Sequence, residues 1–376
     1  MVLWVEVVGF FSDTSGIRDM KWLVVIFVLV CAGTLRANDK AILTLENVPP
    51  TEPIQRESLS KEGFSPQMAA EYLDIASLNW QKNRECVTCH TNMAYLMARP
   101  ALEPSLGSSG EVRKFFETQV IEEYSGEPSS LRLGDFTPVV TSLALSFHDA
   151  QHQRELSEAA QKSLKAMWET QKDDGSWNWL KCGWAPMEID DHYGVTLAAL
   201  AVGVAPGDYS KSQQSVIGIN RLRTFLNANP APSLHHRVML AWCSKRIDGL
   251  MSEEARQKLI KELWASQLVD GGWSIAAMLA DWSDFRRKDS QAQQLQSADA
   301  YATGLVLVVL RELGVPSDDE RIQSGANWLF ENQEVDGKWF SPSPTKDSKQ
   351  YFTNIGSAFA VLGLQAAGKL PNWPFD

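Results

Sequence analysis

Cysteine is scarce in this chain: five residues in 376, too few and too scattered for a disulfide scaffold. No apolar stretch reaches the ~20 residues of a membrane span, which argues against an integral transporter. Positive charge is in deficit, 35 basic against 46 acidic residues, for a net charge of −11. Phosphate binding needs a basic face, so a nucleic-acid partner is disfavoured. Low-complexity tracts are missing, as are a Gly-x-Ser-x-Gly elbow, a P-loop and a dinucleotide fingerprint. What remains, 44% hydrophobic and 22% charged, is a globular chain long enough to bury one large core or two ordinary ones.

The first residues read as an address. Lys21 leads into the apolar run Trp22–Val30, and small residues follow up to Ala37, before Asn38-Asp39. This is the pattern of a secretory signal over residues 1–37, cleaved near Ala37. Met20 stands directly before Lys21, so residues 1–19 are open to being a mis-assigned start. Bulky Val30 before Cys31 disfavours a lipoprotein anchor, and an uncleaved tether is the alternative. Export places the mature protein in the bacterial periplasm. Residues 38–65 read as an extended segment, and 66–370 as the folded body.

Tryptophan is the abundant outlier, with 14 residues. Three segments explain part of that number. Trp168-x-x-Gln171-x-x-x-Gly175-x-Trp177, Trp264-x-x-Gln267-x-x-x-Gly271-x-Trp273 and Phe330-x-x-Gln333-x-x-x-Gly337-x-Trp339 share one pattern, with Asp before each Gly. An amphipathic helix precedes each, and the Asp-Gly step is expected to end it with Gly at φ > 0. A helix apolar nearly all round follows each: Val195–Val202, Gly304–Leu310 and Ala358–Leu364. The expected stops are Gly203/Pro206, Gly314/Pro316 and Gly368/Pro371. Degenerate copies occupy Ile217–Leu226 with Leu234–Ile247, Val112–Tyr124 with Thr137–His148, and Met68–Trp80 with Met93–Met97. The prediction is an all-α repeat array of about six outer–inner helix pairs, closing as a single α/α toroid. Two separate bundles are the alternative.

With these repeats the chain resembles squalene-hopene cyclases and related class II terpenoid cyclases, whose α/α toroid is shared with prenyltransferases. The likeness covers roughly residues 66–370. It also resembles a bacterial subgroup with a Cys-x-x-Cys-His near the start, here Cys86–His90, and a Tyr-Ala-Thr-Gly element, here Tyr301–Gly304. In the cyclases an Asp-x-Asp-Asp at an inner-helix start protonates an alkene. The resemblance implies Asp190 as that acid, with Glu188 and Asp191 tuning it. Glu188 departs from the family's Asp, and those cyclases use two helical domains where one is visible here. A plain helix cap at Asp190 or Asp191 is the competing explanation. No prenyltransferase zinc trio is present.

The repeat topology puts every inner-helix start at one mouth. Tyr193, Asp299, Tyr301 and Asn354 are expected on its rim, around an apolar cavity. Cys86-Val-Thr-Cys89-His90 belongs to the same side. Its spacing suits thioether attachment of a c-type haem through Cys86 and Cys89, with His90 as proximal iron ligand. Met93, His192, His235 and His236 are distal candidates. A local disulfide, a zinc site and accident are the alternatives.

Three functions follow. The first is an exported haem-bearing toroid that binds an isoprenoid- or lipid-like molecule and serves an electron-transfer partner. The second is a cyclase or isomerase using Asp190. The third is a non-catalytic scaffold for a partner or polysaccharide. An interior packed solid by side chains would favour the third.

Overall fold

The computed structural model describes residues 41–376 apart from 103–105, 108–109, 124–135, 153–154, 280–295, 346–349, 372 and 376. The expected leader with Cys31, and most of the 274–297 loop, lie outside the described residues. Among the described residues no helix is long and apolar enough to cross a membrane.

The all-α expectation holds: the described residues contain no strand, only isolated bridges at Leu59–Glu334 and Trp184–Glu188. The helices are α1 (Pro66–Arg84), α2 (Asn92–Ala98), α3 (Glu111–Glu123), α4 (Phe136–His152), α5 (Glu158–Glu169) and α6 (Asp191–Val204). They continue with α7 (Gln213–Ala228), α8 (Leu234–Ser244), α9 (Glu253–Ala265), the single turn α10 (Ile275–Met278), α11 (Ala300–Glu312), α12 (Glu320–Glu331) and α13 (Tyr351–Ala366). All belong to one compact unit, Ile42–Asp376.

Two kinds of helix alternate, for a reason visible in composition. In α5, Ser157 caps the Ala160 N–H, and Leu164, Met167 and Trp168 are buried. Lys162 and Lys165 pair in solvent with Glu158 and Glu169 on the other face. In α6, Asp190 caps Tyr193 and every residue from His192 to Val202 is buried. A helix with no polar face must be surrounded by protein. The buried kind pack in a closed order: α2 on α4, α4 on α6, α6 on α8, α8 on α11, α11 on α13, and α13 back on α2. Helices α1, α3, α5, α7, α9 and α12 pack against these.

The Gln/Trp repeats stitch the amphipathic helices together through backbone carbonyls. Each terminal indole donates to a carbonyl of its own preceding helix: Trp177 to Met167 (2.8 Å), Trp273 to Leu263 (2.8 Å) and Trp339 to Leu329 (2.7 Å). Each glutamine amide donates twice. Gln171 reaches Gly175 O and Gly218 O of α7, Gln267 reaches Gly271 O and Arg321 O of α12, and Gln333 reaches Gly337 O and Ser65 O before α1. The third stitch joins the last amphipathic helix, α12, to the start of the first, α1.

The repeat glycines do not cap the helices as expected. Helix α5 already ends at Glu169, and Gly175 lies in a tight turn beyond it, where Lys172 N–H donates to Ser176 O at 2.8 Å. Its φ of 89° still requires glycine. So does space, since a Cβ on Gly337 would lie 2.0 Å from Met68 O. Gly314 and Gly368 take positive φ after their helices as predicted. Gly203 instead remains inside α6, and Gly207 makes the turn.

The centre is filled. Trp242 of α8 meets Phe147 of α4 at 6.4 Å and Phe359 of α13 at 6.1 Å, although neither helix is a neighbour of α8 in the closed order. Tyr301 of α11 packs on Phe352 and Phe359 at 5.5 and 5.0 Å. All five rings are buried. Aromatic side chains thus occupy part of the space in which the apolar cavity was expected.

Candidate functional site

The inner-helix starts do come together, but their side chains bond to one another and leave little facing open space. Asp190 Oδ1 caps Tyr193 N (3.1 Å), while its Oδ2 accepts from His236 Nε2 (2.9 Å). His236 Nδ1 meets the hydroxyl of Ser233, the cap of α8, at 2.7 Å. One imidazole thus ties the first turns of α6 and α8. His235 Nε2 bonds Tyr301 OH at 2.8 Å, tying α8 to α11, and its ring stacks on Tyr193. Asn354 joins α13 to α1 and α2, accepting from Tyr72 OH (2.8 Å) and donating to Thr91 Oγ1 (3.2 Å). Buried polar groups are costly unless paired, and these pairs fix how neighbouring helices register.

The three carboxylates proposed as an acid cluster point three ways. Glu188 Oε1 faces His90 Nε2 at 3.8 Å. Asp191 pairs with Lys181 and accepts from Trp179 N–H. Burial pushes the Asp190 carboxyl up. The His236 bond and charge, the Tyr193 N–H and His192 outweigh it, and hold its pKa below the ordinary carboxylate value. An alkene-protonating acid must stay protonated. Asp190 serves as the partner of His236 and as the cap of α6, the competing explanation raised from the sequence. Asp299 behaves oppositely. It caps α11 through Ala302 N and accepts from Ile275 N, yet burial raises its pKa to about 7.

Cys86, Cys89 and His90 lie in the turn between α1 and α2. Cys89 sits within electrostatic range of Glu188, Tyr193, Tyr301 and Tyr351, so it shares the mouth with Asp190. A haem there would need space beside both thiols and a free lone pair on His90 Nε2. Cys89 and His90 are each 1% exposed. Rings of Trp80, Tyr351 and Trp184 stand 4.9, 5.5 and 5.7 Å from the imidazole. Thr91 Oγ1 accepts from Asn354, which leaves its hydrogen for His90 Nδ1 at 2.8 Å. His90 Nε2 faces Glu188 Oε1. Side chains pack closely around Cys89 and His90, while Cys86 is partly exposed.

The distal candidates are no better placed. None of Met93, His192, His235 or His236 is among the ring neighbours of His90. Met93 is buried in α2. His235 and His236 are bonded as described. His192 is 5% exposed, with both ring nitrogens unpartnered, 5.1 Å from the His236 ring. Burial, then the His236 charge, lower its pKa to about 4. Burial likewise keeps His235 well below the usual histidine value. Among the described residues no group of three or more His, Cys, Asp or Glu is placed to hold a metal ion.

Sequence reasoning missed Tyr72, Thr91 and Trp184. No spacing rule marks them, because each matters only through a residue remote in the chain. A scan against protein-family models finds no match, and no curated protein matches the chain.

Proposed function

We propose that the chain is an exported α/α toroid whose axis is closed by its own side chains, and that it works as a non-catalytic binding scaffold. The closed packing order of the inner helices supports the toroid. The observation that carries the reading is the meeting of Trp242, Phe147 and Phe359 across the middle, where a polyprene or lipid would have to lie. The mouth agrees with it, since Asp190, His235 and His236 are engaged in tying helix starts together. Neither an electron-transfer partner nor a lipid is required by this arrangement.

Native mass spectrometry of the exported protein tests the proposal. The expected result is a chain shortened near Ala37, without a lipid adduct, and no conversion of added polyprene. A co-purified polyprene, or a polyprene turnover that Asp190→Asn abolishes, would overturn it.

A further inference from the structure

A cleft of about 560 Å³ lies beside the mouth, between residues 49–57 and α1, with Tyr72 and Asn354 in its lining. One wall contains Pro49, Pro50 and Pro53. Proline fixes φ and lacks an N–H, which stiffens this wall. It is pinned at three places. Asn79 Nδ2 donates to Pro49 O (2.7 Å), Gln350 Nε2 to Glu52 O (3.3 Å), and Glu57 N–H to Glu334 Oε2 (3.0 Å). The cleft is therefore preformed, which spares a ligand the cost of ordering it.

The opposite wall presents Tyr72 and Trp80 of α1, both half-buried. Each is held by its polar edge: Trp80 Nε1 donates to Cys86 O at 3.0 Å, and Tyr72 OH donates to Asn354. The ring positions are fixed while part of each ring stays exposed to the cleft. Arg84, over the Trp80 ring at 5.8 Å, stands at the same wall. Glu52, Glu57 and Asp336 outnumber Arg84 and Lys338 along the lining by one charge, so no positive field selects an anion. The volume falls within the range of small-molecule sites.

Fixed aromatic faces accept the C–H faces of a pyranose, and surrounding amide and charged groups suit its hydroxyls. We propose that this cleft binds a neutral oligosaccharide segment of a polysaccharide. The inference rests on the scaffold reading and names its ligand class. A lipid would leave the polar lining unpaired.

The test is calorimetric titration of the full exported protein with β-glucan, xylan and mannan oligosaccharides, beside retardation in native gels containing the parent polymers. At least one series should bind, and Trp80→Ala should weaken it tenfold or more. Because Trp80 also packs on His90, Thr51→Trp serves as a second variant that adds bulk to the exposed wall; it should weaken binding with an unchanged melting temperature. Failure of every glycan to bind, full-strength binding by both variants, or capture of a peptide in place of a glycan would overturn the proposal. Those results leave the scaffold reading standing if no lipid is found, whereas a polyprene adduct ends that reading whatever the cleft binds.

Discussion

The Gln/Trp turns and the mouth both tie helix to helix, but by different chemistry. At the turns, three glutamines and three indoles donate to backbone carbonyls in the same pattern each time. At the mouth three ties are side-chain pairs or chains, each different: Asp190–His236, His235–Tyr301, Tyr72–Asn354–Thr91. A backbone carbonyl is present at every position, so a donor aimed at it can be copied from repeat to repeat. A side-chain pair needs both partners together, so each arises separately and leaves no period.

These two kinds of tie should differ in sensitivity. The largest effect is expected from Gly337→Ala, which combines a positive φ with a Cβ driven into Met68 O, in the turn that joins the last amphipathic helix to the first. A loss of about 3 kcal/mol or more is expected in denaturant unfolding, with Gly175→Ala close behind. If alanine at Gly337 cost less than at exposed Gly183, the closure would not depend on that turn.

The mouth should respond more mildly. Asp190→Asn and His236→Gln each remove one hydrogen bond between helix starts, and a coupling of about 1–2 kcal/mol is expected in a double-mutant cycle. Strict additivity would show that the pair contributes no tie, and would remove the ground for treating the mouth as a helix junction in place of a catalytic site.

The smallest effect is one of pH. The Asp299 pKa is raised in the folded protein to about 7, so the folded state binds its proton more tightly than the unfolded chain does. Its contribution is fully present below the ordinary carboxylate value and is lost as pH rises through about 7. Asp299→Asn keeps the cap acceptor and should flatten the melting temperature between pH 4.5 and 7.5 relative to the parent. An unaltered profile would show that Asp299 titrates normally.

Much of the fold was readable from short stretches of chain. Residues 195–202, 304–310 and 358–364 lack a polar face and are buried, as their composition required. The Asp-Gly steps foretold positive φ correctly, but not that the helices would stop several residues earlier, because tight turns and caps can use the same residues. The candidate site was less readable. Glu188-Ile-Asp190-Asp191 looks like an acid cluster when written in a line. In space Glu188 turns to His90, Asp191 to Lys181 and Asp190 to His236.

Helix periodicity, the capping serines and aspartates, and the threefold Gln/Trp turn follow from interactions between residues close in the chain, and a linear text can carry them. Whether the centre stays open, and whether a cysteine-histidine turn faces a void or a carboxylate, depends on side-chain volumes meeting from helices remote from one another in the chain. Trp242 against Phe147 and Phe359, and His90 against Glu188, are settled by close packing in three dimensions, where filling a space removes apolar surface from water.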